Sequence, residues 1–325
     1  MANTIPINYK LKFEPLFDNF TFNGMEIITI NLPRATNSII LDAAELKIKK
    51  CHVEQGTKII TAKASLNKKN ERLTVKLTKK IKGKAKLCIK FTGVLNDRLL
   101  GFYKSQYKDN RGKTKYLATT QFEAADARRA FPCWDEPAVK ATFDVSLLVD
   151  RHHDAISNMS VISKKNVGSK ILYKFGRTPI MSTYLLYLGV GEFEYLHGKL
   201  RNIKIRIVST KGTKFNAKNH GKLSLDFTKK FLGEYEKYFG IKYPLPKLDM
   251  IAIPDFAAGA MENWGAITFR EAILLYDPKT SSTRTKQYIA EVISHEIAHQ
   301  WFGNLVTMKW WNDLWLNESF ATFMA

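Results

Sequence analysis

The sequence predicts a multi-domain protein: an antiparallel β domain over residues 1–197, then a mixed α/β domain over residues 198–325. Three observations carry this. Apolar and polar residues alternate through the first two hundred positions, the texture changes near His197 to strands interleaved with helices, and 325 residues exceed the usual single-domain size.

The β domain is read from runs with a period of two. Leu73, Val75 and Leu77 alternate with Thr74, Lys76 and Thr78, and Leu87, Ile89 and Phe91 with Lys86, Cys88 and Lys90. Phe143, Val145, Leu147 and Val149 repeat the pattern, with Gly, Asn and Asp between runs. Past His197, one more strand at 203–208 precedes a helix with Leu223, Phe227, Phe231 and Tyr235 on one stripe, stopped by Gly240. Residues 248–253 read as a buried strand closed by Pro254, and 265–269 as another. A longer helix is expected over 285–302, broken by Gly303 and Asn304. A last helix is expected to be capped by Asn312, to start with Asp313, and to carry Leu314, Leu316 and Phe320 into the core. No fixed-period repeat or low-complexity linker marks the boundary.

Composition narrows the function classes. The formal charge of +21 attracts polyanions in principle, but the lysines are spread over strand faces and turns with no recognition motif, so no specific nucleic-acid partner is expected. The longest apolar runs, such as 184–190, fall far short of the roughly 20 residues of a spanning helix, which excludes a membrane span of that kind. Met1 to Asn8 lacks a basic segment leading into an apolar one, which predicts no secretory signal and a cytoplasmic location. Cys51, Cys88 and Cys133, odd in number and widely spaced, are expected to be buried small hydrophobes. His152 and His153 are expected in a solvated turn, and Arg128, Arg129, Asp135 and Glu136 in structural bridges.

The chemistry is concentrated in His295-Glu296-Ile297-Ala298-His299. Four residues along an α-helix return to nearly the same face, so both imidazoles can hold one ion, while Glu296 sits about 100° around and addresses a water without being a ligand. A catalytic zinc needs a third protein donor, and Glu318, which follows His299 after eighteen intervening residues on the last helix, is the candidate. A chance HExxH pattern in an ordinary helix is the competing reading. Gly259-Ala260-Met261-Glu262-Asn263 alone reads as a glycine-containing turn. Its place between a buried strand and the metal helix suggests instead an extended backbone that pairs with a peptide, Glu262 holding an ammonium group.

Together, GAMEN, HEIAHQWFGN and WLNE at that spacing resemble the aminopeptidase N-like family of gluzincin metallopeptidases. Asn8-Tyr9, Thr120-Gln121-Phe122-Glu123 and Phe131-Pro132-Cys133-Trp134-Asp135-Glu136-Pro137 extend the resemblance over essentially the whole chain. It implies a saddle-shaped β domain before a thermolysin-like catalytic domain, with one zinc on His295, His299 and Glu318 and Glu296 as general base. It also implies that Glu262 and Glu123, assisted by Gln121, bind the free α-amine of a peptide. Backbone groups of Gly259 and Ala260 would hold the peptide extended, with Met261 and Phe122 shaping the first side-chain pocket and Asn263 completing the motif. The family's transition-state tyrosine has no counterpart before Ala325, so the resemblance implies a catalytic domain cut short and a missing C-terminal part as partner. Two alternatives stay open: a leukotriene-hydrolase-like bifunctional enzyme, from which Ala260 leans away, and an interaction module that has lost catalysis.

Overall fold

A computed structural model describes residues 4–325, so the first three residues of the predicted N-terminal run-in lie outside the described residues. The chain divides into two compact units, one of residues up to 103, 120–151 and 161–186, the other of 104–119, 152–160 and 187–325.

The strands run in order β1 (Ile5–Leu16), β2 (Thr21–Asp42), β3 (Lys47–Gln55), β4 (Lys58–Asn67), β5 (Arg72–Val94), β6 (Gly101–Lys108), β7 (Thr114–Gln121), β8 (Thr142–Asp150) and β9 (Asp154–Ser157). There follow β10 (Val161–Val167), β11 (Lys170–Phe175), β12 (Leu188–Gly191), β13 (Phe193–Leu200) and β14 (Ile203–Thr210). Helices then enter: α1 (Ala217–His220), α2 (Lys222–Phe239), β15 (Lys247–Ile253), β16 (Ala260–Met261), β17 (Ala266–Arg270), α3 (Glu271–Leu274), α4 (Thr283–Ala298) and α5 (Trp315–Met324).

The first unit holds an eight-stranded sheet in the order β10-β11-β8-β1-β2-β5-β3-β4. It is not antiparallel throughout: β1 and β8 pair in parallel from Asn8 opposite Thr142 to Phe13 opposite Leu147. Period-two alternation reports which face a residue takes, and is blind to strand direction. Tyr9, Leu11 and Phe13 of β1 point inward, and Tyr9 stacks on Phe143 with ring centroids 5.0 Å apart. Gly24 and Gly93 are required by close approach: a Cβ would lie 2.1 Å from the Phe91 ring at the first and 2.2 Å from Phe22 at the second. Arg128 binds Asp135 and Glu71, and Arg129 binds Asp126, Glu45 and Glu71, as structural bridges.

The second unit contains a five-stranded sheet in the order β13-β14-β15-β17-β16. Its central strand β15 is buried at every position and runs parallel to both neighbours, which explains an unbroken apolar run where a half-covered strand would alternate. Lys247 and Asp249, buried within it, form an ion pair at 2.6 Å. Arg206 grips Asp249 through two 2.6 Å hydrogen bonds, and Lys247 Nζ also donates to the carbonyls of Ser157 and Gly265.

Several sequence expectations shift here. The fully buried stripe of α2 is Ser224, Leu225, Thr228, Leu232, Tyr235 and Glu236, so Leu223, Phe227 and Phe231 flank it, half-buried. The two hydroxyls are tolerated inside because Ser224 donates to the Leu274 carbonyl and Thr228 to the Ser224 carbonyl. Gly240 ends the helix as expected, with φ +66°. The last helix is preceded by a short 3-10 turn at Trp311–Asp313, not by an Asn312 cap. Its buried residues are Asn317 and Ala321, while Phe320 is 42% exposed. His153 is buried, against the expected solvated turn, with the exposed His152 ring packed over it at 4.0 Å. Among the described residues no helix is long and apolar enough to cross a membrane.

Candidate metal centre

Helix α4 is capped where Ser282 Oγ accepts the Thr285 N–H at 3.1 Å, so it begins at Thr283, two residues before the expected start. The hydroxyls of Tyr235 on α2 and Ser294 on α4, 2.6 Å apart, fix the helix against its neighbour. The helix ends at Ala298, before the expected 302, because the chain curls into a tight turn in which Gly303 N–H reaches the Val306 carbonyl and Val306 N–H the Trp301 carbonyl. His299 is therefore the C-cap. Its backbone is still helical, its N–H donates to the His295 carbonyl at 3.2 Å, and the two rings remain one turn apart.

The two Nε2 atoms face each other at 2.9 Å. Glu318, carried in by α5, places Oε2 3.2 Å from His295 Nε2 and Oε1 3.7 Å from His299 Nε2. The three donors lie within 4.8 Å of one another. Two imine lone pairs this close repel unless a proton or a cation sits between them. A tetrahedral ion with metal–nitrogen bonds of about 2.0–2.1 Å separates its donors by about 3.3 Å, so two imidazoles and a carboxylate in this arrangement fit one zinc-like ion.

Groups behind the rings orient them. His299 Nδ1–H donates to the Phe302 carbonyl at 3.0 Å, leaving Nε2 as the lone-pair nitrogen, and Thr322 Oγ1 lies 3.4 Å from His295 Nδ1. Burial disfavours a charged His299, but the carboxylates of Glu262, Glu318 and Glu296 outweigh it and raise its pKa to about 10. Burial acts against the Glu318 carboxylate too, yet hydrogen bonds from His295 and His299 hold it well below the usual range. A divalent ion bound by these residues would take the place of the proton held there.

Glu296 is buried beside His295, and Glu262 is buried with Oε1 4.0 Å from His299 Nδ1. Glu262 follows the edge strand β16, where Ala260 pairs Phe269 and Met261 pairs Thr268, and Gly259 O accepts the Arg270 N–H. Asn263 Nδ2 donates to Thr268 Oγ1 at 3.2 Å. The structure thus gathers His295, His299, Glu318, Glu296 and Glu262. Gln121, at the end of β7, and the half-buried Glu123 belong to the first unit.

Sequence reasoning missed two contributors, Thr322 and Gln300. Thr322 is four residues past Glu318, so the i, i+4 rule was the available signal. Gln300 and Asn304 donate to the Glu262 carbonyl at 3.4 and 2.9 Å, a tie that only tertiary structure reveals.

Residues 5–185 match the Peptidase M1 N-terminal domain, and residues 223–325 match the Peptidase family M1 domain. The chain belongs to peptidase family M1. Among its relatives, this M1 chain is 46% identical to the puromycin-sensitive aminopeptidase of Caenorhabditis elegans over 325 residues, covering 98% of the chain and 34% of that protein. It is 44% identical to aminopeptidase M1 of Arabidopsis thaliana, covering 99% of the chain and 37% of the relative. It is 43% identical to the mitochondrial aminopeptidase 2 of Saccharomyces cerevisiae, covering 99% and 34%. The M1 chain thus spans about a third of the length of these curated relatives.

Proposed function

We propose that the chain carries the metal-binding part of a zinc-dependent aminopeptidase that removes N-terminal residues from peptides. The convergence of His295, His299 and Glu318 beside two further buried glutamates carries this reading. When bound, the ion supplies Lewis acidity, acidifying water and polarising a carbonyl. His295 and His299 present Nε2 lone pairs, held by their Nδ1 partners, and Glu318 contributes the anionic ligand. Glu296 takes a proton from the attacking water at its carboxylate and returns it to the leaving amine.

Specificity for the first peptide bond is assigned to Glu262. Its Oε1 has no hydrogen-bond partner among the described residues, which suits a carboxylate that receives a substrate ammonium. Gly259 and the edge strand β16 of Ala260 and Met261 are assigned, on the family resemblance, to holding an extended peptide, Asn263 bracing the end of the strand. Gln121 and Glu123 stay in this proposal on the family resemblance.

The test is hydrolysis of aminoacyl-naphthylamides by the zinc-loaded chain beside Glu296→Gln and beside substrates with a blocked amine. The proposal expects Glu296→Gln to keep its zinc and lose roughly 10²–10⁴-fold in kcat, and blocked substrates to resist cleavage. Equal cleavage of blocked and free substrates, or an unaffected Glu296→Gln, would overturn it.

A further inference from the structure

Strands β3 and β5 pair antiparallel with His52 opposite Cys88 and Glu54 opposite Lys86. Strand side chains alternate, so His52, Glu54 and Cys88 share the outward face, while Val53 and Leu87, both fully buried, mark the inward one. His52 Nε2 lies 3.4 Å from Glu54 Oε1, the Cys88 thiol is within hydrogen-bonding reach of Glu54, and the three ligand atoms lie within 4.8 Å of one another.

As a hydrogen bond, 3.4 Å is at the long limit. As the N···O edge of a tetrahedral zinc ion, about 3.3 Å is the expected value. Imidazole, carboxylate and thiolate are a zinc donor set, and the two anions balance a divalent charge. The side chains of His52 and Glu54 are 38% and 39% exposed, which leaves room for a water as fourth ligand, while Cys88 is 8% exposed and held by the sheet.

We propose that His52, Glu54 and Cys88 form a second divalent-metal site, on the sheet of the first unit, for zinc or another thiophilic ion. Nothing in the spacing of these residues announces it, because the pairing of β3 with β5 supplies the third ligand. Burial, then Glu54, holds the Cys88 thiol up at about 11 without metal. Binding therefore breaks the S–H bond as the sulfur–metal bond forms and releases that proton to solvent. Lys86, beside the thiol, favours the thiolate form. Cys51 pairs with Ile89 on the opposite face of β3 and is no ligand.

The site stands independently of the proposed function, and one spectroscopic signature separates the two centres. His295, His299 and Glu318 offer no sulfur, so a thiolate-to-cobalt charge-transfer band in the near ultraviolet reports only on Cys88. Metal-free chain in a phosphine reductant is titrated with cobalt(II), folding of each variant being checked by circular dichroism. The band is expected in the wild type, Glu318→Ala and Cys51→Ser, is lost in Cys88→Ser, and is abolished by added zinc. His52→Gln, at a half-buried position, is expected to weaken cobalt binding at this band by at least about tenfold. A folded wild type without the band, a band that survives Cys88→Ser or fails in Cys51→Ser, or unchanged affinity in His52→Gln would overturn the proposal.

Discussion

His295 and His299 have Nε2 atoms 2.9 Å apart, and the atoms behind each ring decide how well that pair accepts an ion. Thr322→Val removes the hydroxyl beside His295 Nδ1 and is expected to weaken zinc binding by roughly tenfold without changing the fold, as competition with a fluorescent zinc chelator would show. The histidine pair was legible because a helix fixes the i, i+4 geometry locally; Thr322 was marked only by its i, i+4 spacing from Glu318, and its contact with His295 depends on how α5 approaches. Glu26 is a residue of another kind. It lies fully buried on β2, and neither carboxylate oxygen has a hydrogen-bond partner among the described residues. Burial raises its pKa well above 4.5, so the folded state keeps a proton that the unfolded chain releases. Its contribution is most favourable below about pH 4.5 and is lost as pH rises through the folded pKa. Glu26→Leu is expected to stabilise the protein at pH 8 by about 1–3 kcal/mol and to flatten stability between pH 4.5 and 8, measured by denaturant titration. A less stable variant at pH 8 would refute this.

Among the elements, α4 carries the chemistry and its ends set where the histidines stand. Ser282→Ala removes the cap and is expected to cost about 1 kcal/mol, seen as a lower urea midpoint with an unchanged slope. The existence of this helix was plain from its motif, whereas its end was misplaced by four residues. Gly303 and Asn304 are real breakers, but the turn they build begins earlier, at Gln300. In α2 the apolar stripe Leu223, Phe227 and Phe231 gave the period and missed the buried face, because hydroxyls satisfied by carbonyls occupy it. At the last helix Leu314, Leu316 and Phe320 were expected inside, yet Phe320 is exposed, Leu314 and Leu316 are half-buried and Asn317 is buried.

At the scale of the whole molecule, two periodicities were enough to separate a sheet-rich part from a mixed part. The parallel pairing of β1 with β8 joins residues over 130 positions apart, which no local pattern encodes. The second unit has its own long-range tie in Lys247, Asp249 and Arg206. Burial acts against Asp249, but both cations hold its pKa down, so its contribution is present above about pH 4 and is lost as pH falls. Asp249→Ala leaves Lys247 buried without its counter-ion and is expected to cost about 3–5 kcal/mol, measured by denaturant titration at pH 7. The most direct test of the account is the zinc retained after dialysis by Cys88→Ser, which leaves only the His295–His299–Glu318 centre, beside Cys88→Ser with Glu318→Ala. About one equivalent in the first and almost none in the second is the predicted result. Equal zinc in both, or none in a folded Cys88→Ser chain, would contradict it.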